Sequence, residues 1–137
     1  MRILALDPGT VRVGVAVSDE LRMIARPLEF LPAEPFTALV ERLKELIREQ
    51  QVELIVVGMP RNMDGSYGEA AAKAREFIAA LQDVILVPIR TWDERLTTVS
   101  AAKALRSGGT KAAQQRGKID SAAAAVLLQG YLDSLAP

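Results

Sequence analysis

Three places along the chain put carboxylates where backbone elements end. Asp7 closes a short apolar run, Asp93-Glu94 follow a later one, and Asp120 stands where the last helical segment is expected to open. The chain has no histidine and no cysteine. That excludes Ser-His-Asp and Cys-His catalysis, His- or Cys-ligated zinc and any disulfide framework. Chemistry must run on carboxylates, lysine, tyrosine or hydroxyls. Three oxygen donors without nitrogen or sulfur suit a hard divalent cation, Mg²⁺ or Mn²⁺. Each acid also has a plainer explanation. Asp7-Pro8-Gly9 is turn chemistry, Asp93-Glu94 can be a solvated turn, and an acid in a first helical turn is favoured by the helix dipole. If the strand persists through Asp93 and Glu94, only one of the two can face a given site, because strand neighbours point to opposite faces.

Charge is the second signal. Lys and Arg number 17, Asp and Glu 17, so the formal net charge is zero and the whole chain favours no polyanionic partner. Its distribution does. From Arg95 to Ile119 there is no acidic residue, whereas Arg95, Lys103, Arg106, Lys111, Arg116 and Lys118 all fall there, bracketed by Glu94 and Asp120. A basic run between two metal-type acids suits phosphate chemistry. Other phosphate motifs are missing. Gly117-Lys118 is followed by Ile119, so there is no Walker A, and no G-x-G-x-x-G is present. Aromatics are 4% of residues, which argues against a stacking platform of the OB or RRM kind. Trp92 and Tyr67 lie near the presumed site and read as core or rim packing.

The elements that must position these groups follow from periodicity. At 137 residues, half hydrophobic and a quarter charged, the chain is read as one globular domain, 1–137. Ile3 to Leu6 is continuously apolar, which predicts a strand buried on both faces in the middle of a sheet. Val11, Val13, Val15 and Val17 alternate with smaller or polar residues, as in a half-covered strand paired to the first through the Pro8-Gly9 turn. Met23 to Phe30 predicts a third strand, placed at an edge by Pro27. Phe36, Leu39, Val40, Leu43, Leu46 and Ile47 recur at helical spacing and end near Gln50-Gln51. Val52 to Val57 reads as a central strand. A turn-rich loop leads to Ser66, an N-cap candidate with Glu69 as reciprocal partner, and a second helix. Val84 to Ile89 reads as a fifth strand. A third helix is expected from Thr97 or Thr98 to Arg106, stopped by Gly108-Gly109. Thr110 to Gly117 lacks an apolar period and is expected to be mobile. A fourth helix is expected from Ile119 or Asp120 to Leu135. This order predicts an α/β fold with one mixed five-stranded sheet, antiparallel at its start and parallel thereafter, flanked by helices. In such sheets sites gather at the carboxyl ends of strands, and the last helix can bring Asp120 there if it packs across that end.

The blocks Asp7-Pro-Gly-Thr10 with Gly14-Val-Ala-Val-Ser-Asp19, Val57-Gly-Met-Pro-Arg-Asn62 with Asp64-Gly-Ser66, Asp93-Glu94-Arg-Leu-Thr-Thr98, and Lys118-Ile-Asp120-Ser-Ala-Ala123 resemble the YqgF/RuvX family, in order and from end to end. The resemblance implies a ribonuclease H-like fold related to the Holliday junction resolvase RuvC. It implies a divalent-metal-dependent nuclease, with bacterial members linked to maturation of the 5′ end of pre-16S ribosomal RNA. The family's three acidic positions fall on Asp7, Glu94 and Asp120, which selects Glu94 over Asp93 by analogy. RuvC-type enzymes carry a further acid where this chain has Ala123. Arg95, Lys118 and the Gly9-Thr10 turn are expected to hold the nucleic-acid backbone, with Arg61 and Asn62 from the loop after Met59-Pro60.

RNA is the favoured substrate, in the setting of pre-ribosomal particles. A DNA nuclease or junction resolvase, and a catalytically silent RNA-binding assembly factor of the same fold, are the alternatives. An ATP-binding module of the actin/sugar-kinase type shares the hairpin and its Asp but needs a second lobe. No apolar run reaches membrane-spanning length, and the first strand begins at residue 2, so a cytoplasmic protein is expected.

Overall fold

The computed structural model describes residues 1–9, 11–59, 68–93 and 112–135, with the backbone alone for residue 70 and for residues 112–122. Its described elements are β1 (Arg2–Pro8), β2 (Arg12–Ser18), β3 (Ala25–Pro32), α1 (Phe36–Gln50), β4 (Val52–Met59), α2 (Glu69–Gln82), β5 (Ile89–Asp93) and α3 (Ala112–Leu135). The strands form one sheet in the order β3-β2-β1-β4-β5. β1 pairs antiparallel with β2 and parallel with β4, and β4 pairs parallel with β5. This is the mixed sheet that the sequence predicts. The expected third helix, the Gly108-Gly109 stop and the Ser66 cap lie outside the described residues.

The central position of β1 follows from its composition. Ile3, Leu4, Ala5 and Leu6 are all buried, Leu4 and Leu6 under α1, Ile3 and Ala5 under α3. Edge placement of β3 agrees with Pro27, which has no N–H to donate and sits beside a register shift between Val15 and Ala16. α1 buries Leu39, Val40, Leu43 and Leu46 and ends where Gln51 adopts the left-handed conformation, φ 53°.

Five boundaries or exposures differ from expectation, and all but the start of α2 have a reason in the bonding or the residue types. β2 is covered on both faces, because Gly14, Ala16 and Ser18 are small enough to let α3 close over them. Ser18 stays satisfied there, accepting from Ile3 N at 2.9 Å and donating to Asp19 O at 2.9 Å. β3 starts at Ala25 rather than Met23, since the amides of Met23 and Ile24 donate to the Asp19 carboxylate at 2.7 and 3.0 Å. α2 starts at Glu69 with Gly68 at the cap position and no side-chain cap bond. β5 begins at Ile89 rather than Val84. The amides of Val84 and Ile85 instead finish α2 on Leu81 O, and the ladder to β4 opens only where Ile55 N donates to Pro88 O at 2.9 Å. α3 begins at Ala112, so much of the stretch expected to be mobile is helical. Ala, Gln and Arg are strong helix formers and carry it through Gly117.

Candidate functional site

Asp7 is half-buried near the carboxyl end of β1, beside Gly14 of β2. Side-chain alternation puts it with Ile3 and Ala5, on the face that α3 covers. Among the described residues, nothing hydrogen-bonds or ion-pairs with its carboxylate. Asp19 is the opposite case. Its carboxyl is held below the ordinary carboxylate value by the amides of Ile24 and then Met23, so it already accepts two hydrogen bonds within its own loop.

The register extends Asp7 into a row across the sheet. Gly14 pairs with Asp7 on one side and Phe30 on the other. One step beyond the Leu6–Val57 pair, Gly58 stands on the β4 side of Asp7, and Gly58 pairs with Trp92. The row therefore reads Phe30, Gly14, Asp7, Gly58, Trp92: a carboxylate at the centre, a glycine on each flank, an aromatic at each edge. Adjacent strands lie about 4.8 Å apart, so each aromatic is roughly 9–10 Å from the Asp7 strand.

The turn that follows Asp7 is tightly closed. Gly9 N donates to Arg12 O at 2.9 Å, and a Cβ on Gly9 would lie 2.6 Å from that same oxygen. Gly9, a predicted backbone-holding residue, therefore has a structural requirement of its own. Ala33 N donates to Val11 O at 2.9 Å and ties the turn to the end of β3.

On the far edge, β5 alternates cleanly. Ile89 packs with the core under α1, whereas Trp92 packs with the core under α3. Trp92 meets Tyr131 edge-on at 5.6 Å between centroids, and Arg90 Nη1 donates to Tyr131 Oη at 3.4 Å. The indole Nε1 is buried and has no acceptor among the described residues. Trp92 thus packs at the rim, as its sequence context suggested. The even positions of β5 share Asp7's face; Asp93 shares the face of Ile89.

α3 is pinned at the opposite end of the sheet from Asp7. Gln129 accepts from Ala25 N at 2.9 Å and donates to Met23 O at 2.9 Å. Asp120 is the ninth residue of α3 rather than its first turn, so the dipole explanation for an acid there does not hold. Of the sequence-predicted site residues, Asp7 and Gly9 are described in full. Thr10, Arg61, Asn62, Glu94 and Arg95 lie outside the described residues, as do the side chains of Asp120 and Lys118. Among the described residues no group of three or more acids gathers as a metal site. Also among them, no helix is long and apolar enough to cross a membrane.

Known structures share this architecture. The fowlpox virus resolvase bound to Holliday junction DNA matches with a TM-score of 0.60 at 12% identity, over 100% of both chains. T. thermophilus RuvC in complex with its Holliday junction substrate matches with a TM-score of 0.56 at 20% identity, over 98% of this chain and 96% of that one. At these identities the likeness establishes the fold, the ribonuclease H-like fold of the resolvases. A family model described as "RuvX: Holliday junction resolvase" matches residues 1–134, and the chain belongs to that family. A relative from Halothermothrix orenii, named "Putative pre-16S rRNA nuclease", is 45% identical over 133 residues, 97% of this chain and 95% of its own. One of the same name from Desulforamulus reducens is 45% identical over 134 residues, 98% of each chain.

Proposed function

We propose that this chain is a single-domain, divalent-metal-dependent nuclease that hydrolyses RNA phosphodiesters and acts in 5′-end maturation of pre-16S ribosomal RNA, within pre-ribosomal particles in the cytoplasm. The observation that carries the reading is Asp7: a half-buried carboxylate at the end of the central strand, flanked by Gly14 and without a partner among the described residues. The names of the relatives supply the substrate class.

Asp7, Glu94 and Asp120 would hold Mg²⁺ or Mn²⁺, and their all-oxygen donor set fits such an ion. Two counts support Asp120 as a partner of Asp7. From Gln129, anchored beside Ala25 at the level of Ser18 and Ile3, nine residues of α3 lead back to Asp120, a rise of roughly 13–14 Å. The strand rise from Ile3 to Asp7 is roughly 13 Å, so the two counts agree.

When bound, the cation supplies Lewis-acid neutralisation of the phosphate. The protein's part is to hold the phosphodiester against that point. Arg95, Lys118 and the Gly9-Thr10 turn grip its backbone, together with Arg61 and Asn62. The family description favours a second reading, cleavage of DNA junctions. One assay decides: matched RNA, DNA and four-way-junction substrates, each with Mg²⁺, with Mn²⁺ and with chelator. Cleavage of RNA that chelator abolishes is expected. The Asp7→Asn variant should lose on the order of 10²–10³-fold in rate while keeping its melting temperature. Undiminished cleavage by that variant removes Asp7 from the mechanism; metal-independent binding without cleavage of any substrate favours the silent assembly factor.

A further inference from the structure

The row through Asp7 ends at an aromatic that neither the core nor the proposed chemistry uses. Phe30 lies on edge strand β3 and remains 40% exposed, whereas its neighbour Leu31 is buried under α1. Glu29 and Leu31 face α1, Glu29 through its ion pair with Arg42 at 2.6 Å, so Phe30 faces the side of α3 and Asp7. Within the sheet, Gly14 is the residue between Phe30 and Asp7 and carries no side chain. The Arg12 guanidinium carbon sits 4.9 Å from the centre of the Phe30 ring. Both residues are fixed by backbone: Arg12 pairs with Pro32 in the ladder, and its carbonyl closes the Gly9 turn.

We propose that Phe30 and Arg12 form a one-base platform beside the cleavage point. An unpaired nucleobase stacks on the exposed part of the Phe30 ring, and Arg12 orients that ring and offsets the charge of the adjoining phosphate. An exposed aromatic beside an arginine is the arrangement by which proteins hold single strands, since every base offers a π-face and duplex bases have theirs covered by their neighbours. Phe30 and Asp7 share one face of the sheet, two strands and roughly 9–10 Å apart. The site is thereby selective for a substrate that is single-stranded on the Phe30 side of the scissile bond. This rests on the nuclease reading for the position of the scissile phosphate, but not for the stacking itself.

The experiment uses the full chain and oligonucleotides carrying 2-aminopurine, single-stranded and as duplexes of the same sequence. Binding is followed by anisotropy and stacking by 2-aminopurine fluorescence. The wild type is expected to bind the single strand more tightly and to change its fluorescence. Phe30→Ala should weaken single-strand binding roughly five- to hundredfold and abolish the fluorescence change. Phe30→Leu, which keeps apolar bulk for folding, should lose the fluorescence change equally, and Phe30→Tyr should restore it. In cleavage, Phe30→Leu should raise KM and leave kcat near wild type. Equal binding of single strand and duplex, or unaltered stacking in Phe30→Leu, overturns the platform. Phe30-dependent stacking by a protein that cuts nothing would uphold the platform while sinking the nuclease reading. Normal cleavage with unaltered stacking in Phe30→Leu would do the reverse.

Discussion

The two faces of the sheet are built from different stock. Under α1 and α2 the sheet itself supplies the bulk: Leu4, Leu6, Val13, Val15, Val17, Ile55 and Val57 meet Leu39, Leu43, Leu46 and Leu81. Under α3 the sheet offers Ala5 and Ala16 beside Ile3 and Val56, and the large side chains come from the helix, Leu127, Leu128, Tyr131 and Leu132. Big-on-big packing maximises buried apolar area, and with it stability. Small residues let a helix backbone approach, and Ala5 and Ala16 are fully buried beneath α3. One face holds the molecule together; the other carries Asp7.

That division can be broken by substitution. The largest stability effect is expected on the α1 face. Leu43 is fully buried, and Leu43→Ala should cost about 2–5 kcal/mol in urea unfolding. Cleavage per folded molecule should not change, and a matching loss of activity would refute the division. Ala16→Leu on the opposite face should cost less, about 1–3 kcal/mol, by overpacking against α3. It should nevertheless reduce cleavage per folded molecule where Leu43→Ala does not. The smallest effect is expected far from both. Asp19 has its carboxyl held below the ordinary value of 3.8 by amides that it binds only in the folded loop. That contribution is present above 3.8 and fades as pH falls through the lowered folded value. The protection of the Met23 and Ile24 amides, after correction for the intrinsic pH dependence of exchange, should therefore fall in acid, and Asp19→Ala should show the low protection at every pH and leave cleavage at neutral pH unaltered.

The sequence made some of this legible and hid the rest for identifiable reasons. β1 and β4 were plain because a continuous apolar run has few homes but a sheet centre, and α1 because its apolar period is strong. The start of β5 was hidden because Val84 to Val87 is as apolar as a strand. What excludes it is the use of its first amides to close α2, a contact with Leu81 that hydropathy does not record. α3 was read short because Ala112 to Gly117 forms a helix without an apolar face to announce it. Gly14, Ala16 and Ser18 looked like a solvated face, when small size was the relevant property. In the site, Asp7 stood out by its position after a buried run. Phe30 does not, because its place in the Asp7 row depends on the register of two strand pairings, and a composition poor in aromatics points away from a stacking platform.

The clamp at Gln129 makes α3 a cantilever. Its root is bolted to the start of β3 by two hydrogen bonds, and position 120 hangs roughly 13–14 Å out along the beam. A small tilt at the root is magnified at the tip, so Gln129→Ala, which leaves every carboxylate of the chain in place, should shift position 120 further than position 129 itself.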